Sequence, residues 1–196
     1  MKLYLFFRMI HNFSIKLYKD FVIKENSTMS LTLDGSRELY SSWNYYYHLP
    51  QDKDWKLSSY KTIITNINTL DILKAIGNAV SDKIIRYCML FVMRHTVQPM
   101  WEDPKNRNGG CFSYKVKNSD VPTVWKNLLF SLCGNTLMVN TKHMDLINGI
   151  TISPKKEFCI IKIWLIDCSM QDPSCIIHID NLSNSGSAFK KHQPEY

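Results

Sequence analysis

The chain has 196 residues, 45% of them hydrophobic, and carries 24 Lys and Arg against 17 Asp and Glu, a formal charge of +7. That length supports one globular domain with a substantial core and is short for two. The positive balance favours encounter with polyanions such as nucleic acid without fixing a fold or a partner.

Six cysteines, at 88, 111, 133, 159, 168 and 175, form no C-x-x-C pair, which suits neither a disulfide scaffold nor a zinc cluster. Cys175 and His178 have a ligand-like spacing, but a structural metal needs about four donors, so no metal is expected. The thiols read as buried groups of a reducing compartment, which points to a cytoplasmic location, with the nucleus as a second place. No run approaches the roughly 20 apolar residues of a membrane-spanning helix.

In chain order, residues 1–36 read as an N-terminal tail. From Trp43 the aromatic run to Leu49 predicts a strand, ended by the polar turn Pro50 to Asp54, which leaves Trp55 at a loop exit. Tyr60 to Ile67 is β-branched and predicts a second strand. Thr69 then suits an N-cap for a helix with Leu70, Leu73, Ile76 and Val80 on one face and Lys74 on another. Cys88 to Met93 is a short apolar run.

His95 to Gly110 is a long polar loop, broken by Pro99, Pro104 and the Gly109-Gly110 pair, and Cys111 to Val116 resumes a strand. A second helix fits Val121 to Cys133, with Pro122 in its first turn, Trp125, Leu128, Leu129 and Leu132 as its apolar face and Gly134 closing it. Gly149 to Ser153 and Phe158 to Asp167 predict two strands around the basic turn Pro154 to Glu157. The order of elements gives an α+β domain, a curved antiparallel sheet with helices packed on one face, its convex one. Beyond Cys168 the sequence is polar and irregular. The expected organisation is a tail at 1–36, a domain at 37–179 and a short C-terminal tail at 180–196.

Tryptophans mostly pack cores, and Trp43 and Trp125 lie inside predicted elements. Trp55 and Trp101 fall in loops, where an exposed indole implies a ligand or a partner. Glu102 adds a carboxylate beside Trp101. Guanine methylated at N7 is cationic, so two indole faces gain a cation–π attraction of about 0.5–2 kcal/mol each that unmethylated guanine lacks. A carboxylate accepting from N1–H and the N2 amino group adds two charge-assisted hydrogen bonds and rejects adenine. A nucleotide enzyme would need different equipment: Asn108-Gly109-Gly110 is no Walker loop and Gly-x-Ser-x-Gly is absent, so a non-enzymatic binder is expected, with no cofactor.

The run from Val97 to Gly110, with Trp101-Glu102-Asp103-Pro104 at its centre, resembles the signature loop of the eukaryotic translation initiation factor 4E family. Similarity extends from about Leu39 to Cys168 and takes in Trp43, Trp55, the run Trp125 to Leu129, and Trp164. The resemblance implies a slot on the concave side of the sheet for the 7-methylguanosine cap of messenger RNA. There Trp55 and Trp101 would stack on the base, Glu102 and the Trp101 backbone would pair with it, and Trp164 would touch the methyl group.

The chain departs from the family pattern in four places. The Arg expected after the Gly-Gly pair is Cys111. An Arg and two Lys of the later basic turn correspond to Lys155, Glu157 and Ile160, with Lys156 added, so Lys155 and Lys156 are the phosphate-binding residues that the resemblance leaves. On the opposite face, where the family receives scaffold and repressor proteins carrying a Tyr-x-x-x-x-Leu-hydrophobic helix, a Trp becomes Lys74 and a Leu becomes Lys126, while Leu39, Leu70 and Leu129 are kept. Two lysines in an apolar groove are costly to bury, so weak scaffold binding is expected. Finally, Ser185-Gly186-Ser187 follows Ile179 by only six residues. If it matches a similar triplet near the family's C-terminus, a helix and strand of roughly 20 residues are missing and Ser187 falls at a regulatory phosphorylation site.

Overall fold

The computed structural model describes residues 37–194. The predicted tail at 1–36 lies outside them. Seven strands form one antiparallel sheet: β1 (Glu38–His48), β2 (Lys61–Thr69), β3 (Met89–Arg94), β4 (Gly110–Lys117), β5 (Ile147–Pro154), β6 (Phe158–Leu165) and β7 (Ala188–Lys191), in the order β2-β1-β3-β5-β6-β4-β7. Three helices accompany them, α1 (Leu70–Ala79), α2 (Asp82–Tyr87) and α3 (Val121–Cys133).

Residues directly opposite on neighbouring strands share a face of the sheet. Register therefore sorts the side chains. Tyr45, Val92, Ile150, Ile163, Phe112 and Phe189 make one row across six strands. All but Phe189 are fully buried, and the Tyr45 hydroxyl accepts a hydrogen bond of 2.8 Å from Trp125 Nε1 on α3, so this row faces the helices. A second row, Tyr46, Phe91, Thr151, Lys162 and Ser113, and a third, Asn44, Met93, Gly149, Trp164, Cys111 and Lys190, face the other way.

The helices form where the sequence places them. Thr69 caps α1, its hydroxyl accepting from the Ile72 amide, and Leu73, Ile76 and Val80 are buried beneath it. On α3, Pro122 stands in the first turn and Trp125, Leu128, Leu129 and Leu132 are buried. Burial of Trp43 and Trp125 at 1% exposure each agrees with their core assignment. Leu129, kept in the family pattern as a partner contact, is also core, at 2% exposure. The sequence reading has no counterpart to α2, whose six residues span too few turns to show a period; its Ser81 cap accepts from the Ile84 amide.

The C-terminal segment needs correction. Residues 180–196 are not merely a tail, because β7 pairs with β4 over Gly110–Ser113 and extends the sheet. In the chain, β7 follows Ser185-Gly186-Ser187. Ser187 lies in the turn leading into that strand, its hydroxyl donating to the Asn184 carbonyl at 2.8 Å. Between β6 and β7 the described residues contain a single 3-10 turn, Pro173–Cys175, and no α-helix. Among the described residues, Tyr114 to Lys117 of β4 have no strand partner on the β7 side.

Candidate functional site

On the face away from the helices, a cavity of about 300 Å³ is lined by Trp55, Tyr60, Phe91, Trp101, Glu102, Lys162, Trp164 and neighbouring methionines and Pro99. Four residues singled out in the sequence, Trp55, Trp101, Glu102 and Trp164, are therefore brought together from two loops and a strand.

Trp55 follows the turn after β1 and is 48% exposed. One of its faces is covered by the imidazole of His48, with ring centroids 4.3 Å apart and planes 3° from parallel. His48 is fully buried and its Nε2 donates to the Asp54 carbonyl at 2.8 Å, which ties the end of β1 to the residue before Trp55. Trp164 forms the floor. It is 4% exposed, and its Nε1 donates to Thr151 Oγ1 at 3.1 Å across the β5–β6 pair.

Trp101 and Glu102 ride on a loop held from inside by side-chain amides. Asn106 is fully buried, and its Nδ2 donates to the carbonyls of Gln98 at 2.9 Å and Met100 at 2.8 Å. Its Oδ1 accepts from Asn148 Nδ2, which also donates to the Lys105 carbonyl. Asp103 accepts from the amides of Gln98 and Lys105. Backbone groups of Gln98, Met100 and Lys105 are thereby satisfied inward, while the half-buried Trp101 and Glu102 face the cavity. Glycine is required where this loop joins β4: a Cβ on Gly109 would collide with the Leu165 carbonyl oxygen, and one on Gly110 with the Phe189 ring.

His192, just past β7, lies behind Trp101. Its ring is 5.5 Å from that indole at 15° and 4.8 Å from Trp164. Nδ1 donates to the Asn106 carbonyl at 2.7 Å, and the His192 amide donates to the Gly109 carbonyl at 2.9 Å. Nε2 is buried without a partner among the described residues. Burial lowers the imidazole's pKa; its hydrogen bond to Asn106 opposes this and Lys162 adds to it, so the neutral ring is favoured.

The predicted phosphate residues stand apart from the cavity. Lys155 and Lys156 are exposed in the β5–β6 turn, and neither lines it. On the face carrying the helices, Lys74 is exposed and Lys126 reaches Asp82 of α2 at 3.2 Å. Leu39 and Leu70 are half-buried. Sequence reasoning missed Lys162, His192, Asn106 and Asn148. For Lys162 there was a signal, since it stands two residues before Trp164 on a strand and so shares its face.

Helices on one face of a seven-stranded sheet, with a recessed tryptophan-lined pocket on the other, define an α+β domain built around an aromatic slot. The chain belongs to the Eukaryotic initiation factor 4E family, whose sequence model matches residues 38–190. An initiation factor 4E homolog of Acanthamoeba polyphaga mimivirus is 44% identical over 62 residues, which are 32% of this chain and 23% of that protein. Initiation factor 4E-1 of Caenorhabditis elegans is 26% identical over 158 residues, 77% of this chain and 72% of its own length. Among solved structures, a schistosome initiation factor 4E complexed with m7GpppA and a 4E-binding protein is 26% identical with a TM-score of 0.60, covering 68% of this chain and 74% of that one. A Caenorhabditis elegans isoform complexed with the 4E-binding protein Mextli and a cap analog shares the fold at 19% identity and a TM-score of 0.60, over 68% of this chain and 76% of that one.

Proposed function

We propose that this protein binds the 7-methylguanosine cap of messenger RNA as a translation initiation factor, stacking the base between Trp55 and Trp101 and pairing its edge with Glu102. The observation that carries the proposal is the convergence of these three side chains with Trp164 on one cavity of about 300 Å³. Among the described residues nothing pairs with the Glu102 carboxylate, so its oxygens are available to the N1–H and N2 donors of guanine. His48 covers one face of Trp55 and leaves the other for the base. The cation–π gain applies to the methylated base and not to guanine itself.

Retention on immobilised 7-methylguanosine triphosphate tests the reading. Elution is expected with the methylated and not the unmethylated nucleotide, and retention is expected to fail for Trp101→Ala and Glu102→Ala. Equal elution by both nucleotides would contradict it.

A second reading concerns partners. The exposed Lys74, and Lys126 held by Asp82, place cations where the family resemblance puts an apolar groove. A protein that holds capped RNA without recruiting the scaffold would act as a repressor. Pull-down with a Tyr-x-x-x-x-Leu-hydrophobic peptide separates the two: capture of the peptide means a working partner surface, and none means sequestration.

A further inference from the structure

A nucleotide cap carries a chain of phosphates, and the slot needs cations to receive it. Cys111 is 1% exposed and uncharged in its buried setting, so it supplies none. Cations instead flank it. On the slot face Cys111 lies opposite Lys190 of β7 on one side and Trp164 of β6 on the other, and Ser113, two residues on, lies opposite Lys162. Both ammonium groups make themselves felt at the thiol: burial raises its pKa, and Lys162, a contact with Ser113 and Lys190 each pull it down.

Lys162 lines the cavity, and its Nζ stands over the Trp101 ring, 5.3 Å from the centroid. That is the position a cationic base takes when it stacks on an indole. Among the described residues no carboxylate pairs with Lys162. Lys115, the next cation along the same face, is by contrast engaged over the Phe158 ring at 4.2 Å. Lys155 and Lys156 lie beyond Phe158, at the far end of a stretch of strand that puts roughly 13 Å between Phe158 and Lys162.

We propose that Lys162 and Lys190 form the phosphate clamp of this chain, and that Lys162 leaves the face of Trp101 for the phosphates when the methylated base takes its place. The inference rests on the cap-binding reading above. It makes Lys162 a placeholder in the empty slot and a ligand contact in the filled one. Removing it frees the Trp101 face and removes a phosphate contact, two effects of opposite sign on nucleoside and nucleotide.

The test compares dissociation constants of 7-methylguanosine, its 5′-monophosphate and its 5′-triphosphate for the wild type, Lys162→Met, Lys190→Met, Lys162→Arg and the double variant Lys155→Met/Lys156→Met. Lys162→Met is expected to bind 7-methylguanosine at least as tightly as the wild type and to lose roughly tenfold to a hundredfold of the added affinity conferred by the triphosphate. Lys190→Met, on an exposed outer strand, is expected to lose part of that increment, Lys162→Arg to keep it, and the double variant to be unaltered. An increment unchanged in both Lys162→Met and Lys190→Met overturns the clamp, as does its loss in the Lys155/Lys156 variant alone. Weakening of nucleoside and triphosphate by the same factor in Lys162→Met also overturns it, because the increment conferred by the phosphates is then intact. If the wild type binds the methylated nucleosides no better than unmethylated ones, the cap-binding reading fails and the clamp with it.

Discussion

Replacing Asn106 by Ala removes the side chain that holds the Trp101 loop from within. Three hydrogen bonds disappear, to the carbonyls of Gln98 and Met100 and from the amide of Asn148. Each is worth about 1 kcal/mol net, and the carbonyls left facing an interior position add further desolvation cost, so about 3–5 kcal/mol is expected. For a domain of this size that is a fall in Tm of about 10 °C, read by thermal melting followed by circular dichroism. Because Trp101 and Glu102 ride on the same loop, affinity for 7-methylguanosine nucleotides falls as well, and the ligand raises the variant's Tm less than the wild type's at equal concentration. Asn106→Asp, which keeps an acceptor but faces two carbonyls with a carboxylate, behaves at least as badly. A Tm within about 2 °C of wild type, with unchanged affinity, would refute the reasoning that this buried amide organises the site.

Glu102→Gln keeps the shape of the side chain and loses its charge; titration calorimetry should show affinity for the methylated nucleotide reduced roughly tenfold to a hundredfold. Leu129→Ala should cost about 2–5 kcal/mol in chemical denaturation, as a core truncation rather than a change to an exposed groove. His192 gives a pH dependence: its folded pKa is depressed, so the stability held by the neutral ring is present above about pH 6.5 and is lost as pH falls toward and through the folded value, at a rate of at most about 1.4 kcal/mol per pH unit. The acid limb of a Tm-versus-pH curve should therefore be shallower for His192→Gln than for the wild type.

Sequence periodicity sufficed for the elements that bury a continuous stripe. Thr69 with Leu73 and Ile76, and Pro122 with Trp125, Leu128 and Leu132, carry their helices in local order, and the β-branched and aromatic runs of β1, β2 and β6 do the same for strands. What escaped depends on pairing at a distance. Ala188 to Lys191 is only four residues with one large apolar side chain, and becomes a strand because β4 offers an open edge. Asn106 and Asn148 are 42 residues apart, so nothing local reveals their contact. The aromatic and acidic members of the site were legible because loop tryptophans need a reason; Lys162 was signalled only by standing two residues before Trp164 on one strand, and His192 by nothing local, because only the sheet brings it to the same pocket.

The central claim is that the slot recognises the positive charge of a 7-methylated guanine. Parallel titrations of 7-methyl-GDP and GDP at one salt concentration test it directly, with Trp101→Ala as the control. Two indole faces predict tighter binding of the methylated nucleotide by between about fivefold and several hundredfold, and loss of most of that difference in the variant. Equal dissociation constants for the two nucleotides would contradict the account.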